Sequence, residues 1–266
     1  MKSLGVVSNC WRAQLERGEP LEGLIDEAVG RKYRAVELRQ TCLGRFERHD
    51  VPDAKALASF PKKFPTVRFN IALAVPIWSG NVEPTDSLFA SGVDSAWATA
   101  GALPPHLRLV DPITPEEQVE SDDERIARQV ADLTLPLYEM GGMLSIENAR
   151  LPWERLASIF ATAKGMLGPE ESSLKICYDP CNLFPADGAQ AGQITRSLAP
   201  KDIAMVHFKQ SRDGAPLTTM TTGDVDWDDQ LRALDEIRYE GPALFEIAPH
   251  DDIWKHLDSS RQFVGL

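Results

Sequence analysis

The sequence has no run of roughly 18 apolar residues, the length that a membrane-spanning helix requires. Its first residues, Met-Lys-Ser-Leu-Gly-Val-Val, lead directly into a strand-like segment, without the apolar stretch and cleavage site of a secretory signal. We therefore expect a cytoplasmic protein that does not cross a membrane.

Basic residues are scarce relative to acidic residues. The chain of 266 residues contains 28 lysines and arginines against 40 aspartates and glutamates, which gives a formal net charge of −12. An acidic surface repels both the phosphate backbone of nucleic acids and anionic lipid headgroups. The charge therefore argues against a nucleic-acid partner and against attachment to an anionic membrane.

Cysteine is also sparse, with four residues at Cys10, Cys42, Cys177 and Cys181. The last two lie close together, but their spacing is not that of a Cys-X-X-Cys redox motif. No second pair of cysteines completes a zinc site. We expect buried, reduced thiols in a reducing cytosol.

Short apolar runs alternate with longer segments whose apolar residues recur at helical spacing. The runs are residues 4–8, 35–38, 67–75, 107–110, 143–146, 174–178, 203–208 and 243–247. Such alternation is typical of parallel strands joined by crossover helices. An open doubly wound sheet would show the same alternation, but eight repeats in about 250 residues favour closure. We predict one α/β domain, a (β/α)8 TIM barrel over residues 1–266.

Two local features refine this prediction. Pro136 lies within the helical stripe of residues 126–137, where it should kink or shorten the helix. Asp226 precedes the stripe that begins at Trp227, and its side chain should cap the N terminus of that helix.

Four side chains that can bind a metal ion lie at or just beyond the ends of consecutive late strands: Glu147, Asp179, His207 and Glu246. The carboxyl ends of all strands meet at one face of a parallel barrel, so these residues should converge. Any one of them alone would more often be a strand-end charge or a core histidine. Burying three carboxylates together is costly without a cation. We predict one divalent ion, Mn²⁺, Mg²⁺ or Co²⁺, with Zn²⁺ also compatible with the donor set.

The motifs around these residues resemble the xylose isomerase-like TIM barrels, which include ketose 3-epimerases, hydroxypyruvate isomerases, inosose dehydratases and endonuclease IV. The resemblance runs from residue 4 to about residue 247. Its recognisable stretches are Leu-Ser-Ile-Glu-Asn, Tyr-Asp-Pro-Cys-Asn, Val-His-Phe-Lys and the segment 223–247. It implies that the four residues named above are the metal ligands. It also implies that Glu147 and Glu246 exchange the substrate proton.

The activity that the resemblance implies is a metal-dependent sugar isomerase or epimerase acting on a small sugar or keto-sugar. In such enzymes the metal stabilises the enediolate that forms when the carbon next to a carbonyl loses its proton. Many relatives have a histidine where this chain has Asn182, which cannot act as an acid. This difference counts against reactions that need that histidine. The additional ligands of endonuclease IV are not apparent, which disfavours DNA repair.

Further polar residues near the predicted strand ends are candidates for substrate binding: Asn9, Arg39, Asn182, Lys209 and Arg212. The basic ones could bind a carboxylate or phosphate, or they could be loop charges in solvent. Two alternatives to the isomerase stay open. One is a lyase, either a dehydratase or an enzyme that cleaves a keto-sugar linkage, and the other is a non-catalytic sugar-binding barrel. Association into a homo-oligomer also stays open.

Overall fold

The computed structural model describes residues 3–78, 82–111, 122–149, 151–184 and 188–265. Its main sheet is a closed barrel of eight strands in the order β1-β8-β7-β6-β5-β4-β3-β2. The strands are β1 (Ser3–Val7), β2 (Ala35–Arg39), β3 (Arg68–Ala74), β4 (His106–Val110), β5 (Met143–Glu147), β6 (Leu174–Tyr178), β7 (Ile203–Phe208) and β8 (Pro242–Phe245). Each coincides with a predicted apolar run to within two residues. The predicted fold class is confirmed.

Helices connect most of these strands. They are α1 (Arg12–Glu16), α2 (Leu21–Gly30), α3 (Ala54–Leu57), α4 (Phe60–Lys63), α5 (Ser87–Ala100), α6 (Asp123–Glu139), α7 (Trp153–Leu167), α8 (Ala191–Ser197), α9 (Trp227–Glu236) and α10 (Ile253–Phe263). Two-residue strands pair as Glu47–Arg48 with Val51–Pro52 and as Ser211–Arg212 with Ala215–Pro216. In the described part of the chain, no helix has the length and apolarity that crossing a membrane requires.

The chain divides into two compact units. The first unit comprises Met1–Glu37 and Tyr178–Leu266, and the second comprises Leu38–Cys177. The prediction of a single domain over residues 1–266 stays a prediction.

In the first unit, β1 pairs in parallel with both β2 and β8, and β8 pairs with β7. Gly5 of β1 lies beside Ala35 and Leu244, and Leu244 lies beside His207. A Cβ atom at Gly5 would lie 2.6 Å from the carbonyl oxygen of Ala35 and 2.9 Å from Cγ of Leu244. The strands approach so closely here that only glycine fits.

In the second unit, β3, β4, β5 and β6 pair in parallel in chain order. Helix α5 packs on β3 and β4. A Cβ atom at Gly92 of α5 would lie 2.4 Å from Leu73 and 3.2 Å from Leu107, so these leucines face the helix. Alternate residues of a strand point to opposite faces, so Arg108 points away from α5.

Two of the local predictions have different outcomes. Helix α6 continues through Pro136 to Glu139, so the helix is not shortened there, and a kink at Pro136 stays a prediction. Leu133 and Leu137 on the same stripe are fully buried, and their burial outweighs one missing backbone hydrogen bond. The predicted cap is confirmed, because the Asp226 side chain accepts a hydrogen bond from the backbone N–H of Asp229 at 3.0 Å. All four cysteines are buried with free thiols, as predicted.

Candidate metal centre

Three of the four predicted metal ligands lie together in the first unit. Asp179 follows β6, His207 belongs to β7, and Glu246 follows β8, and all three side chains are buried. Each offers a ligand atom within 4.8 Å of those of the others. His207 Nδ1 lies 3.3 Å from Glu246 Oε2. Two ligand atoms that bind one ion at about 2.1 Å are about 3.0–3.4 Å apart, so this spacing fits a shared cation.

The strand register explains why two of these side chains meet. Leu244 lies beside His207, and Glu246 is two residues beyond Leu244, so Glu246 points to the same face of the sheet. The same alternation of side chains applies to β2. Gly5 of β1 lies beside both Ala35 of β2 and Leu244 of β8, so these two residues are in register. The side chain two residues beyond Ala35 is therefore on this face as well.

That residue is Glu37, which is not among the residues predicted from the sequence. Its side chain is fully buried, and its Oε1 lies 3.6 Å from His207 Nε2. One nitrogen of the imidazole therefore faces a carboxylate while the other faces Glu246. Histidines that bind metals usually have a carboxylate or carbonyl at the second ring nitrogen, which orients the ring. The available signal was a charged residue inside a short buried parallel strand, Ala-Val-Glu-Leu-Arg.

Two of the three carboxylates of this cluster, those of Asp179 and Glu246, are each held through one oxygen. Asp179 Oδ1 accepts hydrogen bonds from the backbone N–H groups of Cys181 at 2.8 Å and Asn182 at 3.3 Å. These bonds cap the short 3₁₀ helix Pro180–Leu183. Glu246 Oε1 accepts a hydrogen bond from Asn9 Nδ2 at 3.1 Å. The other oxygen of each carboxylate is directed toward the rest of the cluster.

Lys209 lies next to the cluster-facing oxygens of Asp179 and Glu246. Its Nζ is 3.2 Å from Asn182 Oδ1, 3.4 Å from Asp179 Oδ2 and 3.5 Å from Glu246 Oε2. The side chain is mostly buried, with 18% exposed. Lys209 and Asn182, both predicted to bind substrate, are therefore part of the cluster.

Acidic side chains outnumber basic side chains in the cluster. Glu37, Asp179 and Glu246 are acidic, and Lys209 is basic. The described contacts therefore join three carboxylates with one ammonium and one imidazole. Burying such an excess is unfavourable unless a cation compensates it. The donor set and the charge both fit a divalent metal ion.

The remaining substrate-binding candidates have different surroundings. Asn9 holds Glu246, as described above. Arg212 is exposed, and its guanidinium donates to the carbonyl oxygen of Thr222 at 3.0 Å. Arg39 is the last residue of β2 and is half-buried. Substrate binding by these residues stays a prediction.

The fourth predicted ligand, Glu147, belongs to the second unit. It is the last residue of β5, and its Oε2 lies 2.7 Å from Arg108 Nη1 of β4. Arg108 is only 1% exposed, and it is not among the residues predicted from the sequence. The signal was present in the alternation His-Leu-Arg-Leu-Val, which puts two polar residues on one face of a strand. On that face His106 Nε2 also lies 2.8 Å from Ser145 Oγ.

Two buried thiols lie near the cluster in the first unit. Burial, with the nearby Glu246 carboxylate, raises the pKa of Cys10 far above its usual value. Burial and the Asp179 carboxylate raise the pKa of Cys181 to about 12. Both thiols are therefore protonated at neutral pH, so they cannot serve as nucleophiles, which must be thiolates.

The fold and this cluster define a β/α barrel that carries a potential metal-ligand set at its strand ends. Residues 105–262 match the family model described as a xylose isomerase-like TIM barrel, and the chain belongs to this family. The resemblance inferred from the motifs is confirmed. No curated protein matches the sequence.

Solved structures give the same fold. An IolI protein with a bound zinc atom is 14% identical, with 99% of this chain and 98% of that chain covered and a TM-score of 0.71. An L-ribulose 3-epimerase is 16% identical, with coverage of 100% and 94% and a TM-score of 0.67. The probable 3-DHS dehydratase AsbF of Bacillus anthracis is 13% identical, with coverage of 100% and 99% and a TM-score of 0.68. At these identities the likeness shows the fold alone.

Proposed function

We propose that this protein is a divalent-metal-dependent isomerase or epimerase of a small sugar or keto-sugar. The observation that carries the proposal is the convergence of Asp179 Oδ2, His207 Nδ1 and Glu246 Oε2 in a buried cluster with excess negative charge. Three carboxylates that share one ammonium and one imidazole favour a dication over a simple ion pair. The net charge of −12 supports a small-molecule substrate rather than a nucleic acid.

Glu147 is the proposed fourth ligand. It is a buried carboxylate at the carboxyl end of β5, and β5, β6, β7 and β8 are successive strands of the barrel. The carboxyl ends of parallel barrel strands lie at one end, where the active sites of this fold occur. Each of these four strands then supplies one ligand.

The proposed ion is Mn²⁺, Mg²⁺ or Co²⁺, because these ions accept mixed carboxylate and imidazole ligands. The zinc atom bound to the IolI protein keeps Zn²⁺ among the candidates. When bound, the ion would polarise the substrate carbonyl and stabilise the negative charge that develops on its oxygen.

The chain itself supplies the proton transfer and the orientation of the substrate. The Glu246 carboxylate, held by Asn9, is a candidate to accept the proton from the carbon next to the carbonyl. Lys209 and Asn182, which contact each other at 3.2 Å, offer an ammonium and an amide to substrate oxygens. Glu147 is the second proposed catalytic carboxylate.

A lyase is the second candidate function. Its first step is the same proton abstraction, and the Lys209 ammonium is a proton donor that could assist departure of a hydroxyl group. A non-catalytic sugar-binding barrel would share the cluster but would not exchange carbon-bound protons. Proton exchange therefore separates both enzymes from the binding protein.

The test uses the full chain loaded with Mn²⁺. Elemental analysis should give about one ion per chain, as expected for a four-ligand site. D-fructose, D-tagatose and L-ribulose are then incubated with the protein in D₂O, and NMR should show deuterium on the carbon next to the carbonyl for at least one of them. His207→Ala should abolish both signals, whereas His49→Asn, an exposed control, should retain them. Unchanged metal binding in the His207→Ala, Glu246→Ala double variant would refute the proposed site.

A further inference from the structure

We propose that the outer face of helices α5 and α6 binds a basic segment of another protein, one that carries large apolar side chains. The inference goes beyond the proposed function, because this surface lies within the second unit and includes none of the proposed metal ligands. We call this surface the α5–α6 face and define it by Glu83, Asp94, Trp97, Asp132, Leu135 and Glu139.

Helix α6 has one buried stripe and one exposed stripe. Leu133 and Leu137 are fully buried. Asp132, Leu135 and Glu139 recur at the spacing of a helical face and are exposed. The exposed stripe therefore combines an apolar side chain with two carboxylates.

Helix α5 presents a similar stripe. Gly92 lies against Leu73 of β3, so that side of the helix faces the sheet. Asp94 and Trp97 are three residues apart and exposed, and Trp97 has 59% of its surface exposed. An indole ring, the largest apolar group of any side chain, thus lies beside a carboxylate on the outside of the protein.

Two open hollows join these stripes at Glu139. One hollow, of about 470 Å³, is lined by residues 83–85 and by Leu135 of α6. The other, of about 340 Å³, is lined by Trp97 of α5 and by Met140, which follows α6. Glu139 lines both hollows, so together they form one continuous groove.

Exposed apolar side chains are concentrated around this groove. The described part of the chain exposes seven large apolar side chains, and four of them belong to α5, α6 or the turn after α5: Trp97, Leu103, Leu135 and Tyr138. Single exposed apolar residues are ordinary, but a group with Trp and Tyr is typical of a protein interface. The walls of the hollows are themselves exposed, whereas sites for small molecules enclose most of the ligand. The groove therefore favours a protein partner.

Three of the four acidic side chains of the α5–α6 face are unpaired. Asp94, Asp132 and Glu139 form no hydrogen bond or ion pair with any residue that the structure describes. Exposed carboxylates elsewhere are held by arginines, and Arg196 of α8 alone holds two carboxylates of α9. The face thus has negative charge that the protein itself leaves uncompensated.

The sequence explains why this charge is uncompensated. Residues 69–149 contain no lysine and only three arginines, Arg108, Arg125 and Arg128. Arg108 is buried, and Arg128 forms an ion pair with Glu124 at 3.2 Å. The face is therefore complementary to lysine or arginine side chains, whose charge can also lie over the exposed indole ring.

A basic segment of another protein fits this face better than the other candidate occupants. Two copies of the chain related by twofold symmetry would bring the same carboxylates together, which is unfavourable. Nucleic acids and anionic membranes are repelled by the same charge. A basic segment would instead place cations beside Asp94 and Glu139 and apolar side chains in the two hollows.

The test uses the full chain and a labelled peptide of about 18 residues, or five helical turns, with leucine at helical spacing and lysine elsewhere. Fluorescence anisotropy measures its binding. We expect Trp97→Ala to lower the affinity about 30-fold, the effect of removing an interface hot spot. Phe263→Ala, which removes an exposed aromatic side chain of α10 in the first unit, is the matched control and should bind like the parent.

A double variant, Asp94→Asn with Glu139→Gln, tests the carboxylates. We expect its affinity to be about tenfold below that of the parent at low salt and equal to it at about 1 M salt, where charges are screened. The control, Glu16→Gln with Asp26→Asn, removes two exposed carboxylates of the first unit and should bind like the parent. Thermal unfolding verifies that each variant is folded, and if Trp97→Ala is not, the charge variant decides.

Three results would overturn the inference. The first is a parent that does not bind the peptide, or that binds it no better than Trp97→Ala and the charge variant do. The second is spermidine that binds as tightly as the peptide and depends on Trp97, which would indicate a polyamine site. The third is a parent dimer in sedimentation that Trp97→Ala dissociates, which would indicate a second copy of the chain.

Discussion

His207 and Glu37 face each other with both side chains fully buried, His207 Nε2 lying 3.6 Å from Glu37 Oε1. The opposite ring nitrogen, Nδ1, lies 3.3 Å from Glu246 Oε2. If Glu37 orients the ring with its proton on Nε2, the lone pair of Nδ1 is left for the proposed ion. Glu37 belongs to β2 and His207 to β7, and β1 and β8 lie between these two strands in the sheet. No local sequence pattern therefore connects the two residues.

The first prediction concerns Glu37. Glu37→Gln keeps the size of the side chain but removes its charge, so the imidazole becomes a poorer and less well oriented ligand. We expect Mn²⁺ affinity to fall about tenfold, within the range for outer-shell partners, as measured by calorimetry. Glu22→Gln, which changes a buried glutamate of α2 in the same unit, is the control and should bind normally. Equal affinities in the two variants would show that Glu37 does not orient His207.

The second prediction concerns the division of work between Glu147 and Glu246. At saturating Mn²⁺, Glu246→Gln should lower deuterium exchange into a ketose substrate by about 10²–10⁴-fold, the usual contribution of a positioned base. Glu147→Gln, which removes the second proposed catalytic carboxylate, should lower inversion of the substrate carbon by a similar factor. NMR in D₂O measures the exchange. Full epimerisation in both variants would contradict the two-carboxylate mechanism, whereas exchange without inversion in one of them would support it.

The third prediction concerns the thiols. All four cysteines are buried, and burial raises the pKa of Cys10 and Cys181. Because the thiolate is the reactive form, the native protein should not react with iodoacetamide at pH 7 within minutes. After unfolding in guanidinium chloride, mass spectrometry should show four modified cysteines. Rapid labelling of the native protein would mean that the barrel opens on that timescale.

The fourth prediction concerns acid stability. The rings of His250 and His256 lie 4.1 Å apart. Burial and the neighbouring His250 lower the pKa of His256 in the folded protein; a hydrogen bond with the Thr218 backbone and the Asp252 carboxylate oppose this shift, and Lys255 adds to it. The folded state thus favours neutral His256. Its contribution to stability is present above the ordinary pKa of about 6.5 and is lost as the pH falls through the lowered value.

Replacing this histidine should reduce the loss of stability in acid. We expect the thermal midpoint of His256→Gln to fall less than that of the parent between pH 7 and pH 5, as measured by calorimetry. His49→Asn, which changes an exposed histidine, should follow the parent. An unchanged pH dependence in His256→Gln would assign the acid sensitivity to other groups.

The sequence by itself determined the strands and the proposed ligand set. Apolar runs in buried parallel strands have few alternative conformations, so residues 174–178 and 203–208 were predicted to the residue. A charged residue at the end of such a run, such as Glu147 or Glu246, has few structural uses. It can therefore be recognised from the sequence as a candidate metal ligand. The start of a helix that is capped by a side chain, such as Asp226, also depends on residues close in sequence and can be predicted in the same way.

Only the tertiary structure decided which groups anchor these ligands. Glu37 meets His207, Arg108 meets Glu147 and Asn9 meets Glu246 because the register of neighbouring strands puts them on one face. Pro136 is tolerated because the surrounding leucines are buried. Periodicity along the chain reports which face a residue occupies. It does not report which distant side chain lies opposite, since that depends on strand pairing and side-chain packing across the sheet.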